Sequence, residues 1–107
     1  MNGEALWNII ISGISSSREE IKTTTGLWFR ALSNDGRLYV DRATDHTPSS
    51  ELSMQRSISK KDFLFVHSYY DRWFNGEYGV RQEVSRKSRN TAYIFALIDM
   101  FLEKNKS

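Results

Sequence analysis

Apolar side chains near the start of the chain recur at helical spacing. Leu6, Ile10 and Ile14 lie four positions apart, and Trp7 widens the stripe that they form. An apolar stripe with this period lies on one face of a helix and packs against a core. The pattern predicts a helix over residues 3–14.

An alternating pattern follows, and it is typical of a β-hairpin. Two segments, 23–32 and 37–42, are rich in β-branched and aromatic residues and flank the sequence Asn34-Asp-Gly36. Asn, Asp and Gly tolerate the positive φ that tight hairpin turns require. Leu38 and Val40 alternate with polar residues, so both are expected on one face of the sheet. Because two strands alone are marginally stable in water, a helix or a third strand must cover them.

The segment 44–57 reads as a long surface loop. It contains the only proline, Pro48, and several serines, and a short strand over 54–58 is a candidate for its end. Loops of this length are often either functional or mobile, and the sequence leaves both alternatives open.

Two aromatic-rich helices are predicted in the last part of the chain. Ser59 suits the cap of a helix over 59–74, which Asn75-Gly76 then stops. Residues 80–87 predict a partial helix, and a final helix follows over 91–104. The expected core positions of the two long helices are Phe63, Val66, Tyr70, Trp73, Ile94, Leu97, Ile98, Phe101 and Leu102.

The order of elements predicts an α+β domain. We expect a small antiparallel β-hairpin or three-stranded sheet, packed by an N-terminal helix and two C-terminal helices. A length of 107 residues fits a single globular domain over 1–107.

Composition places the chain among ordinary soluble proteins. Hydrophobic residues make up 39% and charged residues 26%, and no apolar run approaches the length of a membrane span. The absence of cysteine excludes disulfides and cysteine-based metal sites. We expect a cytoplasmic protein without a cofactor or a membrane partner.

Positive charge is concentrated in the segment 81–90, the basic connector between the two aromatic-rich helices. It carries +3, while the whole chain carries only +2, so the remainder sums to −1. Its cations precede a helix N-terminus, where free backbone N–H groups also favour an anion. The connector therefore predicts binding to the phosphates of DNA or RNA through Arg81, Arg86, Lys87, Arg89 and Asn90.

Two arginines of the hairpin extend this prediction. Arg37 and Arg42 flank the return strand, and a two-stranded ribbon that carries arginine can enter a nucleic-acid groove. The alternative is a half-buried sheet with a polar outer face. A similar alternative holds for the connector, which would be a solvated loop paired with Asp71, Glu77 and Glu83.

Three aromatic residues, Phe65, Tyr69 and Phe95, fall outside the main apolar stripes of their helices. A helix that is apolar on several faces is either central to the fold or meets a partner. These residues favour the second functional hypothesis, a homodimeric or protein–protein interaction domain without catalytic activity.

The sequence gives little support to an enzyme. His46 lies in the polar loop and His67 in an aromatic helix, and two histidines without a further close ligand make a poor metal site. Asp41 and Glu51 have the separation of some nuclease acids, but Ser53 stands where that pattern requires lysine. We expect neither catalysis nor a bound metal.

Four motifs stand out in the chain, namely Thr23-Thr-Thr-Gly-Leu-Trp-Phe29, Asp35-Gly-Arg-Leu-Tyr-Val40, Ile58-Ser-Lys-Lys-Asp-Phe63 and Ser88-Arg-Asn-Thr-Ala-Tyr-Ile94. Together they resemble a pattern in small uncharacterised bacterial proteins, some of which are carried on mobile gene cassettes such as integrons. Similar helix–hairpin–helix modules accompany restriction-type enzymes. The resemblance extends from about Trp7 to Leu102 and implies a DNA-related or mobile-element setting, with no established activity and no catalytic residues.

Overall fold

A computed structural model describes residues 2–14, 20–23, 26–44 and 55–104 of the chain. In these residues one helix, four consecutive strands and four further helices follow one another as an α+β fold, which confirms the predicted fold class. The elements are α1 (Gly3–Ile14), β1 (Glu20–Lys22), β2 (Trp28–Asn34), β3 (Arg37–Arg42), β4 (Arg56–Ile58), α2 (Lys60–His67), α3 (Tyr70–Phe74), α4 (Val80–Ser85) and α5 (Thr91–Lys104).

The four strands form one antiparallel sheet in the order β1-β2-β3-β4. The predicted turn joins β2 to β3, and both of its central residues have positive φ, 53° at Asp35 and 74° at Gly36. This is the backbone of a tight hairpin whose twist matches that of the strands. The edge strand β1 was not predicted, because it has three residues and Ile21 is its only apolar side chain.

Strand β2 begins later than the sequence pattern predicts. Thr23 closes a turn instead, since its carbonyl accepts from the Gly26 N–H at 3.0 Å and its own N–H donates to the Leu27 carbonyl at 2.7 Å. Gly26 has a φ of 89°, which is costly for any residue with a Cβ. Thr23 and Gly26, which propensity alone assigns to a strand, therefore lie outside β2.

Helices α1 and α5 cover one face of the sheet. The central side chains on that face, such as Phe29 and Ala31, are buried, and Phe29 on β2 meets Tyr93 on α5 edge-on with ring centroids 5.0 Å apart. The Ser33 hydroxyl donates to the Ile11 carbonyl at 2.8 Å and fixes α1 along β2. As predicted, Leu38 and Val40 face this core and are fully buried.

The predicted helix over 59–74 is divided into α2 and α3. Ser59 caps α2 as expected, because its hydroxyl accepts from the Asp62 N–H at 3.0 Å. The division falls at Ser68, whose hydroxyl donates to the Phe65 carbonyl at 2.6 Å. Bonds of this kind compete with the regular helical ladder. Tyr69 continues the departure, since its N–H donates to the Val66 carbonyl, three residues back.

Helix α3 ends where the sequence predicts. Gly76 has a φ of 78° and donates its N–H to the Trp73 carbonyl, while the Glu77 N–H reaches back to the Arg72 carbonyl at 3.0 Å. These two bonds form the glycine-based stop known as the Schellman motif. The chain then turns towards α4 and the connector.

Two predictions fall on parts of the chain outside the described residues. These are a capping box at 17–20, of which only Glu20 is described and begins β1, and the interpretation of 45–54 as a functional or mobile loop. In the described part of the chain, none of the helices has the length and apolar character needed to cross a membrane.

Candidate nucleic-acid interface

The connector forms one wall of a cleft of about 510 Å³, here called the connector cleft. Three arginines from different elements line it: Arg56 on β4, Arg81 on α4 and Arg89 before α5. Among the residues that the structure describes, no acidic side chain lines this cleft. Because a guanidinium stays protonated at any physiological pH, the cleft is a site of fixed positive charge.

Arg56 is held in place by its neighbours. Its Nη1 donates to the Asn90 Oδ1 at 3.2 Å and lies 3.4 Å from the Arg89 carbonyl oxygen. Its guanidinium also lies 5.9 Å from the centre of the Tyr93 ring, a cation–π distance. Asn90 is fixed in turn by a bond from its Nδ2 to the Asp62 Oδ2 at 2.9 Å. This chain of contacts gives the cleft an ordered cation.

The rest of the cleft lining comes from the end of α4 and the start of α5. Three of these lining residues carry hydroxyl groups, namely Ser85, Ser88 and Thr91, and the fourth is Ala92. Ser88 and Thr91 are bound to each other, since the Thr91 Oγ1 donates to the Ser88 carbonyl at 2.7 Å. Thr91 is the first residue of a 14-residue helix, whose first N–H groups have no acceptor within the helix. Both the arginines and the helix end favour an anion in this cleft.

Two acids that might have neutralised the connector are engaged elsewhere. Arg72 on α3 donates from its Nε to the Glu77 carboxylate at 2.7 Å, and its Nη1 lies 3.5 Å from the Glu83 carboxylate. The hydrogen bond to Glu77 raises the pKa of Arg72 above its usual value. Glu77 and Glu83 therefore contact Arg72, a cation that lies outside the connector.

The structure divides the predicted cationic residues into two groups. Arg81 and Arg89 line the connector cleft. Arg86 and Lys87 are exposed on the same connector and do not line it. Arg56 belongs to the cleft but was not predicted, since no motif surrounds it and only the pairing of β4 with β3 brings it there.

The hairpin arginines do not converge on the connector cleft. Arg37 and Arg42 are both exposed and stand five positions apart in β3, so their side chains project from opposite faces of the sheet. Arg37 lines a second cleft near the hairpin turn, and Arg42 lines neither cleft.

The structure corrects two predicted site residues. Asn90 is 7% exposed and both ends of its amide are bonded within the protein, so it supports Arg56 instead of meeting a ligand. Phe95 is 1% exposed and stacks on Trp73 with centroids 4.5 Å apart, so it belongs to the core and offers nothing to a partner. Its departure from the helical stripe reflects the burial of α5 on several sides.

The other two predicted interface residues lie at the edge of the core. Phe65 and Tyr69 are half-buried and meet edge-on with ring centroids 5.3 Å apart, and Arg72 lies over the Tyr69 ring at 5.3 Å. More exposed aromatics are nearby in the sequence, with Phe74 at 61% and Tyr78 at 100% exposure. A homodimer through this region stays a prediction.

A metal site finds no ligand set in the described residues, where no three His, Asp or Glu side chains gather around one point. No family model, curated protein or solved structure matches the chain. The resemblance to proteins of mobile gene cassettes therefore stays a prediction, and the proposed function must rest on the geometry of the connector cleft.

Proposed function

We propose that this protein is a small nucleic-acid-binding module, and that the connector cleft binds the phosphate backbone. The observation that carries the proposal is the convergence of Arg56, Arg81 and Arg89 on one cleft without an acidic lining residue in the described chain. Arginine forms paired, charge-assisted hydrogen bonds with phosphate oxygens, which is why it recurs at phosphate-binding sites.

The size and polarity of the cleft support the same function. A volume of about 510 Å³ falls within the range of sites that hold nucleotide-sized ligands. The Ser85 and Ser88 hydroxyls in its lining can donate to phosphate or sugar oxygens and carry no base preference, whereas the Thr91 hydroxyl already donates to the Ser88 carbonyl. The site is therefore expected to bind without strong sequence specificity.

A pair of matched double variants tests the proposal. R81Q/R89Q removes two cations that line the cleft, and R86Q/K87Q removes two exposed cations from the same connector. At low salt, we expect R81Q/R89Q to weaken binding of a fluorescein-labelled oligonucleotide about 10-fold, since two contacts at about 0.7 kcal/mol each give that factor. The readout is fluorescence anisotropy.

The control variant separates a cleft from a diffuse charge. R86Q/K87Q has the same net charge as R81Q/R89Q, and we expect it to change the affinity about 2-fold or less. Equal losses in the two variants would show that only the total charge matters, and an affinity unaffected by R81Q/R89Q would exclude the connector cleft.

A further inference from the structure

A second basic cleft lies where the β2–β3 turn approaches the start of α2. It has a volume of about 490 Å³ and is here called the hairpin cleft. Arg37 and Lys60 supply its charge, and within the described part of the chain no acid lines it. Ser57 adds a hydroxyl, and Tyr39 adds a half-buried aromatic ring. The hairpin cleft is thus cationic like the connector cleft, but Trp7, Leu38 and Ile58 make its lining more apolar.

Strand β4 connects the two clefts. Arg56 lines the connector cleft, and the next residue, Ser57, lines the hairpin cleft. Since a strand rises only about 3.3 Å per residue, the clefts are neighbours across this short strand. β4 stands at the end of the described sheet, so the path from one cleft to the other runs over a sheet edge.

We propose that the two clefts together bind one single-stranded nucleic acid, whose backbone crosses β4 and places phosphates in both. This inference rests on the proposed function of the connector cleft and adds the second subsite and the class of nucleic acid. Consecutive phosphates of a stacked strand rise about 3.4 Å per nucleotide, so a strand that fills both clefts and crosses β4 must be longer than the few nucleotides that one cleft holds.

The geometry of β4 favours a single strand over a duplex. Arg56 and Ser57 are successive residues of the strand, so their side chains project to opposite faces of the sheet. A backbone that reaches both clefts must bend sharply around the edge of β4. A duplex has a persistence length of about 50 nm and resists such a bend, whereas a single strand is flexible. Tyr39 also offers a ring on which an unpaired base can stack.

The distribution of charge supports one continuous binding path. The two clefts hold five cations, and the whole chain carries only +2, so all other residues together carry −3. Lys60 lies 3.0 Å from the Glu4 carboxylate, but both side chains are largely exposed, so water and a bound phosphate compete for this pair. The two clefts therefore hold a local excess of positive charge, while the rest of the chain is net negative.

The inference is tested by comparing how tightly short and long oligonucleotides bind to the wild type and to variants of the hairpin cleft. Labelled oligo-dT of about three and about eight nucleotides is titrated against the wild type, R37Q/K60Q and the matched control K22Q/K61Q. Lys22 and Lys61 are exposed and line neither cleft. We expect R37Q/K60Q to weaken binding of the longer oligonucleotide about 10-fold and of the shorter one about 2-fold, because only the longer strand fills both clefts.

The remaining comparisons decide between the two proposals. K22Q/K61Q is expected to change either affinity by about 2-fold or less, and a duplex of matched length is expected to bind more weakly than the single strand. Wild-type affinity of R37Q/K60Q for the longer strand, or tighter binding of the duplex, would overturn this inference. If R81Q/R89Q still loses binding in that case, the proposed function stands alone; absence of binding to every oligonucleotide overturns both.

Discussion

Arg56 owes its place in the connector cleft to residues that are far away in the sequence. The Arg56 guanidinium donates a hydrogen bond to Asn90, which is itself bonded to Asp62. The Tyr93 ring lies against the same guanidinium. An ordered guanidinium loses less side-chain entropy when it binds an anion than one that is free in solvent. The buried amide of Asn90 is therefore part of the binding site through Arg56, although it does not face the cleft.

The burial of His67 leads to a prediction about how the free energy of unfolding depends on pH. It stacks on Phe63 with ring centroids 6.2 Å apart, and burial lowers its pKa below the ordinary value of 6.5, although the nearby Asp71 partly opposes this shift. The unfolded chain then binds the proton more readily than the folded one as the pH falls below 6.5. We expect the free energy of unfolding to decrease in this range, measured by chemical denaturation at several pH values.

The variant H67Q isolates this contribution. Carboxylates also titrate at acidic pH in the wild type, but they are common to both proteins, so the difference between the two curves belongs to His67. Relative to H67Q, the wild type should lose free energy of unfolding as the pH falls through 6.5, because the cost of holding His67 neutral is absent from the variant. Parallel curves for the two proteins would contradict the burial assigned to His67.

The positions of some single residues could be predicted from the sequence, and those of others could not. Helical periodicity located buried residues such as Leu6 and Ile10 because burial repeats with the helix. It misassigned Phe95, since α5 is enclosed on several sides and has no free face there. It missed Arg56, because the position of that side chain depends on the pairing of Val40 with Arg56 across β3 and β4. Such long-range pairings leave no local spacing in the sequence.

At the scale of elements, strong local signals predicted structure and weak ones did not. The hairpin of β2 and β3 was predicted because its turn sequence requires positive φ, which few residues adopt. The ends of α1 and α5 also agree with the predicted helices over 3–14 and 91–104. The break between α2 and α3 was missed, since it depends on one serine hydroxyl whose choice of acceptor the sequence does not reveal.

The contact between α1 and α5 supplies a prediction about packing. A Cβ placed on Gly13 would lie 2.6 Å from the Phe101 Cε1, so the two helices approach too closely for a larger residue. Gly13→Ala gains about 1 kcal/mol of helix propensity but must displace a ring that is 5% exposed. Overpacking costs about 1–3 kcal/mol, so we expect a net loss of about 1 kcal/mol in the free energy of unfolding.

Asn8→Ala is the matched control for this packing effect. Asn8 is exposed on the same helix, so its replacement gains helix propensity without a new contact. Urea denaturation should show Asn8→Ala at or slightly above the wild-type stability and Gly13→Ala below it. A stabilised Gly13→Ala protein would show that α1 and α5 are not as close as described.

The whole molecule carries little net charge, and its possible partners depend on where that charge lies. At physiological ionic strength charges are screened beyond about 8 Å, so a net charge of +2 over 107 residues attracts a polyanion only weakly at a distance. The three arginines of the connector cleft line the same cleft, so a phosphate bound there contacts them directly and salt screens the attraction much less. Binding is therefore expected to depend on local contacts that can be counted.

The dependence of affinity on salt counts those contacts most directly. For a single strand, the logarithm of the association constant falls with the logarithm of salt concentration by about 0.7 for each neutralised phosphate. If the wild type uses the five cations of the two clefts, the slope is about −3.5. R81Q/R89Q should then reduce its magnitude by about 1.4, and R86Q/K87Q should leave it unchanged. A wild-type slope near zero, or the same reduction in both variants, would contradict phosphate binding in the connector cleft.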